Sequence, residues 1–222
     1  MHVSCYNHTV KNGSHNFDYI PSLHERTYIT YIVKLITVKC CSFRQWSEAV
    51  FSQPGWRGRS VSIVLVGHSY VRRLCDYMAT SQEHANLGLH GVEVHCVGVG
   101  RATLRPGDRN IRNFLRAVSQ HRPFIVYVHI GENDLGHMSD GHITSEILRL
   151  MSVLSPLSRS RVVILGQLVS FPRTRSRHQT SVRLINDDLR QRIGAPNIYW
   201  RHEYEFANSS LALFLPDGVQ CH

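Results

Sequence analysis

Short, continuous apolar runs recur along the second part of the sequence, and they are the feature that most limits the fold. Five are evident, at residues 61–66, 92–97, 124–130, 162–165 and, more weakly, 198–200. Runs of this kind, rich in β-branched residues, are typical of strands that are buried on both faces of a parallel sheet. The sequence therefore predicts a mainly parallel sheet of five strands.

The segments between these runs carry apolar residues at helical spacing. Three such faces are clear: Ile111, Phe114, Leu115 and Val118; Ile143, Ile147, Leu150, Met151 and Leu154; and Val182, Ile185, Leu189 and Ile193. An alternation of strands and helices places helices on both sides of a parallel sheet. The expected fold class is therefore α/β, a three-layer α/β/α sandwich.

The first part of the chain has a different character. Residues 1–58 lack clean periodicity and end in the turn formers Q-P-G-W-R-G at 53–58. We expect an irregular extension over 1–58 and one domain over 59–222. With 222 residues, 42% of them hydrophobic, the chain is long enough for a domain with a full core.

Three predicted strands end in loops that combine glycine with polar residues. These loops read G-H-S-Y at 67–70, G-V-G-R-A-T at 98–103 and G-E-N-D-L at 131–135. Loops at the carboxyl ends of parallel strands build ligand sites. Ser69 could be a nucleophile beside helix N–H groups, or simply a helix cap, the commoner role of an isolated serine. Asn133 could donate to developing negative charge, or start a turn.

A last polar block, L-P-D-G-V-Q-C-H, occupies residues 215–222. A serine nucleophile needs a base with a pKa near neutrality and a carboxylate that orients this base. Asp217 could be that carboxylate, although Asp-Gly is also a common turn. His222 is the nearest imidazole.

These blocks, G-H-S, V-G-V-G-R-A-T, H-I-G-E-N-D-L and L-P-D-G-V in this order, resemble the SGNH hydrolases, also called GDSL-type esterases. The resemblance covers residues 59–222 and implies a flavodoxin-like α/β/α fold with serine esterase chemistry and no cofactor. It implies an acyl-enzyme on Ser69 and an oxyanion hole formed by Ser69, Gly100 and Asn133. A shift of one residue would place Arg101 in the position of Gly100.

Two positions depart from the pattern of the resembled family. His68 stands in the middle of the first block, where the family usually has aspartate. Gln220 stands where the D-x-x-H block has its histidine, and an amide cannot act as the base. His222 lies two residues further, roughly 6–7 Å away in an extended chain. The family's closing helix would fall beyond His222. We therefore expect an impaired hydrolase, in a domain truncated at its C-terminus.

A different class of function is suggested by charge. The chain has a formal net charge of +9, and arginines recur at helical spacing, at Arg105, Arg109, Arg112 and Arg116, with more at Arg173, Arg175 and Arg177 beside His178. Such a surface could bind nucleic acid or another anionic partner. The simpler interpretation is a solvated helix face, since no aromatic residues are interleaved to stack bases. The alternative function is therefore an inactive module that binds through its arginines.

A metal site is the third candidate. His129, Glu132, Asp134, His137 and His142 crowd one strand end. They match no firm zinc spacing, and His129 is expected to be buried and hydrogen-bonded within its strand. The prediction is that the protein holds no metal.

The remaining expectations concern the surroundings of the protein. Its six cysteines form no C-x-x-C pair, which favours reduced thiols. Neither a signal-peptide core nor an apolar run of about 20 residues is present, which favours an intracellular protein without a transmembrane segment. The expected substrate is a small-molecule, lipid or carbohydrate ester.

Overall fold

Strands and helices alternate through the described part of the chain, which in this computed structural model comprises residues 61–80, 85–87, 92–169 and 176–200. The strands are β1 (Val61–Gly67), β2 (Val92–Gly98), β3 (Ile125–His129), β4 (Val162–Gly166) and β5 (Ile198–Trp200). The helices are α1 (Ser69–Thr80), α2 (Arg109–His121), α3 (Asp140–Leu154) and α4 (Ser176–Arg192), with 3-10 turns at Glu132–Asp134 and Ser155–Leu157. The predictions for residues 1–58, Asp217, Gln220 and His222 lie outside this part.

All five strands belong to one sheet, and every neighbouring pair is parallel. The strand order is β2-β1-β3-β4-β5. The chain leaves β1 for β2 on one side and then crosses to β3 on the other. In open parallel sheets this reversal opens a crevice at the carboxyl ends of the strands, where ligands bind. The predicted five-stranded parallel sheet is confirmed.

Successive side chains of each strand point to opposite faces of the sheet, and each face has its own apolar core. On β1, Ile63 and Leu65 pack with the buried residues of α1, whereas Val64 and Val66 pack with those of α2, α3 and α4. Helices therefore cover both faces, and the three-layer α/β/α sandwich is confirmed. This double burial explains why the strands lack the polar alternation of a solvent-facing sheet.

The helical faces predicted from the sequence are the faces that are buried. Phe114 and Val118 of α2 are fully enclosed, and so are Ile143 and Ile147 of α3. Ile193 was expected on the face of α4 but lies one residue beyond its end, half-buried. Among the described helices, none combines the length and the hydropathy needed to span a bilayer.

A disulfide joins Cys75 of α1 to Cys96 of β2, so the expectation of reduced thiols is wrong for these two residues. Their Cα atoms are 5.4 Å apart because α1 packs directly on β2. The two cysteines are 21 positions apart and belong to no recognisable motif. Spacing alone cannot reveal such a pair, since the folded chain decides which cysteines meet.

Candidate active site

The carboxyl ends of three adjacent strands lie at one level of the sheet. Gly67 at the end of β1 is paired with Gly98 of β2 on one side and with His129 of β3 on the other. Beyond the strands, the N–H of Val99 donates to the Gly67 carbonyl at 2.9 Å, and the N–H of His68 donates to the His129 carbonyl at 3.1 Å. The three polar loops therefore leave the sheet side by side.

Two of these strand ends require glycine because backbones approach each other closely. A Cβ atom at Gly98 would overlap the backbone of Val71 and Arg72 in α1. A Cβ atom at Gly67 would overlap the carbonyl oxygen of His129. The glycines therefore let the first turn of α1 rest directly on the sheet.

Ser69 is the first residue of α1 and is half-buried. The first helical hydrogen bond here runs from the N–H of Arg72 to the His68 carbonyl, at 3.0 Å. Within the described residues, the Ser69 hydroxyl has no hydrogen-bond partner. The first N–H groups of a helix lack partners in the helix and can receive an anion. The serine therefore combines a hydroxyl that has no partner among the described residues with nearby backbone donors.

Asn133 lies in the 3-10 turn that follows β3, and it faces the loop after β2. Its Nδ2 donates to the Ala102 carbonyl at 2.9 Å. A carboxamide nitrogen carries two hydrogens, so this bond orients the group and leaves one hydrogen for another acceptor. Gly131 starts the turn with φ 126°, and a Cβ there would press on Ile147 and Leu168. The turn that presents Asn133 therefore requires glycine at 131.

Asp134 makes a second hydrogen bond between the loop after β2 and the turn after β3. Its Oδ2 accepts the N–H of Leu104 at 3.0 Å, and its side chain is fully buried. Burial raises the pKa of this carboxyl. The hydrogen bond from Leu104 and the charge of Arg105 lower the pKa, but by less than burial raises it. With the Asn133 bond, this anchor holds the loop after β2 against the turn after β3.

The two alternatives for the backbone donor of the oxyanion hole occupy successive positions. Gly100 is half-buried, and a Cβ there would lie 3.2 Å from Nη1 of Arg72. Arg101 has φ 60° and an exposed side chain, so its side chain has the room that the alternative requires. Gly100 and Arg101 both remain predictions for this role.

Behind Ser69 and Asn133, three buried polar side chains bond to one another. Glu132 Oε2 lies 2.7 Å from His68 Nε2, and Glu132 Oε1 lies 2.8 Å from His129 Nε2. Burial raises the pKa of Glu132, but the His129 and His68 imidazoles outweigh burial and hold this pKa well below its usual range. His129 is buried and hydrogen-bonded, as predicted. We call His68, Glu132 and His129 the His-Glu-His cluster.

This cluster differs from the metal site considered from the sequence. Its ligand atoms lie within 4.8 Å of one another, a spacing that a cation could bridge. In the structure, however, these atoms satisfy each other's hydrogen bonds. Among the described residues, Asp134, His137 and His142 do not join the group. The sequence analysis did not group His68 with His129 and Glu132. The one signal was that His68 stands where the resembled family usually has aspartate.

The arginines of the predicted basic surface are exposed. Arg109, Arg112 and Arg116 project from α2, and Arg105 lies in the loop before it. Arg177 is also exposed and His178 is half-buried, whereas Arg173 and Arg175 lie outside the described residues.

Asp217, Gln220 and His222 lie outside the described residues as well, so the predicted base and its orienting carboxylate remain predictions.

Similarity to known proteins is found among solved structures. No family model and no curated protein matches the chain. Among solved structures, an acetyl esterase mutant with an acetate ion is 14% identical, with 73% of this chain and 88% of that one covered and a TM-score of 0.49. A carbohydrate esterase family 3 protein from Talaromyces cellulolyticus is 15% identical, with the same coverage and TM-score.

A lipolytic protein of the G-D-S-L family from Veillonella parvula is 14% identical, with 60% of this chain and 72% of that one covered and a TM-score of 0.45. At such identities, the likeness concerns the fold alone. The Veillonella parvula protein is a member of the lipolytic G-D-S-L family, the family that the four sequence blocks of this chain resemble.

Proposed function

We propose that this protein is a carboxylic ester hydrolase that acts through an acyl-enzyme on Ser69. The observation that carries the proposal is the convergence of three loops at one edge of the sheet. Ser69 begins the helix after β1, and the Asn133 carboxamide is fixed against the loop after β2 by its bond to Ala102 at 2.9 Å. Acyl transfer requires the nucleophile and the oxyanion donors at one site, and the proposal is supported by loops that leave the sheet side by side.

The chemistry follows from these groups. The Ser69 hydroxyl attacks the ester carbonyl while its proton passes to a base, and the resulting oxyanion accepts hydrogen bonds. Its donors are the N–H groups of Ser69 and Gly100 and the free hydrogen of Asn133 Nδ2. Collapse of the tetrahedral intermediate expels the alcohol, and water then releases the acid from the acyl-enzyme. We assign the base to His222 and its orientation to Asp217.

The test is hydrolysis of a short-chain nitrophenyl ester by the native chain and by the variant Gln220→His. Ser69→Ala should lower kcat by about 10³-fold or more in whichever of these backgrounds is active, because it removes the nucleophile. Ser139→Ala is the matched control, since Ser139 is exposed and makes no capping hydrogen bond.

The outcomes separate a working enzyme from a disabled one. Native activity that disappears in both Ser69→Ala and His222→Ala supports the full proposal. Activity that appears only with Gln220→His supports an intact Ser69 site whose base has been lost. Absence of turnover in both backgrounds, or turnover that survives Ser69→Ala, would overturn the proposal.

A second candidate function is binding of nucleic acid or another polyanion by a module that has lost catalysis. The observation that favours it is the row Arg109, Arg112 and Arg116 on α2. All three are exposed and make no ion pair with a described residue. Unpaired guanidinium groups at this spacing can each meet a phosphate.

A further inference from the structure

The His-Glu-His cluster joins the two loops that carry the proposed catalytic groups. His68 is the residue before Ser69, and Glu132 is the residue before Asn133. The 2.7 Å contact between His68 Nε2 and Glu132 Oε2 therefore ties the nucleophile loop to the oxyanion loop. His68 and Glu132 are 64 residues apart in sequence, so this tie exists only in the folded chain.

The proton positions in the cluster follow from its chemistry. An ionised carboxylate only accepts hydrogen bonds, so both imidazoles donate from Nε2. Glu132 Oε1 also accepts the N–H of Val169, at 3.0 Å, in the segment after β4. On the far side of His129, Nδ1 lies 3.3 Å from the Tyr127 hydroxyl. One carboxylate thus links the segments that leave β1, β3 and β4.

Burial makes this link rigid. The side chains of His68, His129 and Glu132 are exposed by only 2%, 0% and 6%. A buried carboxylate that loses its partners carries a large desolvation penalty, so the two loops cannot drift apart without a high cost in free energy. The three aromatic rings of His68, Tyr70 and His129 also contact one another, with centroids 5.1 to 5.3 Å apart.

We propose that Glu132 is a positioning residue that, through His68, holds Ser69 in register with Asn133. This inference rests on the proposed esterase function and deepens it. Charge-assisted hydrogen bonds are short and directional, which suits a contact that must fix geometry. Misplacement of reacting groups by about 1 Å costs on the order of 10²-fold in rate. His68 is next to Ser69 and Glu132 is next to Asn133 in the chain, so the role assigned to the cluster is positioning through these neighbours.

The first test is Glu132→Gln, measured in whichever of the native and Gln220→His backgrounds hydrolyses the ester. The substitution keeps the shape of the side chain but removes the charge. The amide nitrogen then faces His68 Nε2, which forces the His68 proton onto Nδ1, where no described residue accepts it. We expect kcat to fall by about 10-fold or more, while KM changes by less than about 2-fold.

The matched control is Glu146→Gln. Glu146 is half-buried on α3, pairs with Arg149 at 2.7 Å and is not a member of the cluster. Its substitution should leave kcat unchanged. Circular dichroism must show that all variants are folded at the assay temperature. An equal kcat in Glu132→Gln and the unsubstituted background would overturn the inference and leave the esterase proposal standing.

A second pair of variants tests the role of the hydrogen bond itself. His68→Gln places an amide donor near the position of Nε2 and should retain most of kcat. His68→Met removes the donor, leaves Glu132 without this partner and should lose kcat. Glu132→Gln added to His68→Met should recover part of the loss, because no unpaired charge remains. Equal kcat values in His68→Gln and His68→Met would contradict the inference.

A readout independent of turnover is the ring protons of the two histidines. Long-range ¹⁵N-edited NMR should show both His68 and His129 protonated at Nε2, with the His68 signal moving to Nδ1 in Glu132→Gln. Tight zinc binding that depends on Glu132 would overturn the positioning role, since the same atoms would then be ligands. Absence of turnover in both backgrounds would remove the esterase proposal, and this inference with it.

Discussion

At the scale of single residues, the site depends on places where no side chain fits. Gly98 brings the backbone of β2 against Arg72 in the first turn of α1, and Gly131 starts the turn that presents Asn133. The sequence marks both as glycines after predicted strands. It does not show which neighbour each one admits, because that neighbour comes from another part of the chain.

We expect Gly98→Ala to lower the free energy of unfolding by about 3 kcal/mol, because the added methyl group overlaps the α1 backbone, which cannot move aside as a side chain can. Gly141→Ala, in the first turn of α3, is the control. No atom lies within 4 Å of its added Cβ. It should stabilise the protein by about 0.5–1 kcal/mol, because alanine restricts the unfolded chain. Urea unfolding would measure both, and similar effects of the two substitutions would refute the close approach.

At the scale of elements, α2 is fixed at its start by one carboxylate. Asp108 caps the helix by accepting the N–H of Asn110 at 2.8 Å, and it also accepts the Thr103 hydroxyl at 2.7 Å. Partial burial raises the pKa of Asp108, but hydrogen bonds from Asn110 and Thr103 outweigh it and lower the pKa. The helix cap therefore also holds the loop that contains Gly100.

Asp108→Ala should lower the free energy of unfolding by about 1 kcal/mol at neutral pH, a typical cost of a lost cap. The folded-state pKa of Asp108 lies below its ordinary value of 3.8. Its contribution is therefore complete above pH 3.8 and is lost as the pH falls through the lower folded-state pKa. The difference between native and variant should shrink in that acid range.

The control for this cap is Ser139→Ala. Ser139 precedes α3, but its side chain makes no capping hydrogen bond. Its substitution should change the free energy of unfolding by less than about 0.5 kcal/mol. Denaturant unfolding of both variants across pH 2.5 to 7 gives the comparison, and a pH-independent loss in Asp108→Ala would contradict the role of its charge.

At the scale of the whole molecule, the parts of the fold that the sequence predicted are those with a local pattern. Residues 61–66 and 124–130 read as buried strands because both faces of the sheet are covered by helices. The three polar loops could be placed together because the carboxyl ends of parallel strands share one edge. The fold class, and the position at that edge of the loops that contain Ser69 and Asn133, followed from this.

The parts that were missed depend on contacts between distant segments. The Cys75–Cys96 disulfide joins a helix to a strand, and the pairing of His68 with Glu132 spans 64 residues. Neither contact is marked by a periodic pattern or a motif in the sequence. Glu132 was considered only as a metal ligand, beside His129 and other nearby histidines. It does bond His129, but its second partner, His68, lies in another loop. The expected intracellular location stays a prediction, against which a disulfide weighs.

The net charge of +9 belongs to the whole molecule and leads to a prediction for the second candidate function. If α2 contacts phosphates, binding to a DNA duplex should weaken steeply with salt. Replacing Arg109, Arg112 and Arg116 together by glutamine should reduce the slope of log K against log salt by about 2 to 3. Fluorescence anisotropy at several salt concentrations gives this slope.

Arg190→Gln with Arg192→Gln is the matched control. Both arginines are exposed on α4, but they pair with Asp187 and Asp188 at 3.7 and 3.3 Å. Their replacement removes the same kind of charge from a helix whose own carboxylates partly neutralise it. An equal loss of slope in both sets would show binding through net charge and not through α2.

The contact between His68 and Glu132 also constrains how this sequence can change over evolutionary time. An acidic residue at position 68 would face a buried carboxylate at 132, and two neighbouring carboxylates cannot both remain ionised. The two positions can therefore exchange charge type only together, or through an intermediate that is neutral at 132. Aligned relatives should fall into two groups, with a histidine and glutamate pair in one and an acidic residue at 68 with an uncharged residue at 132 in the other.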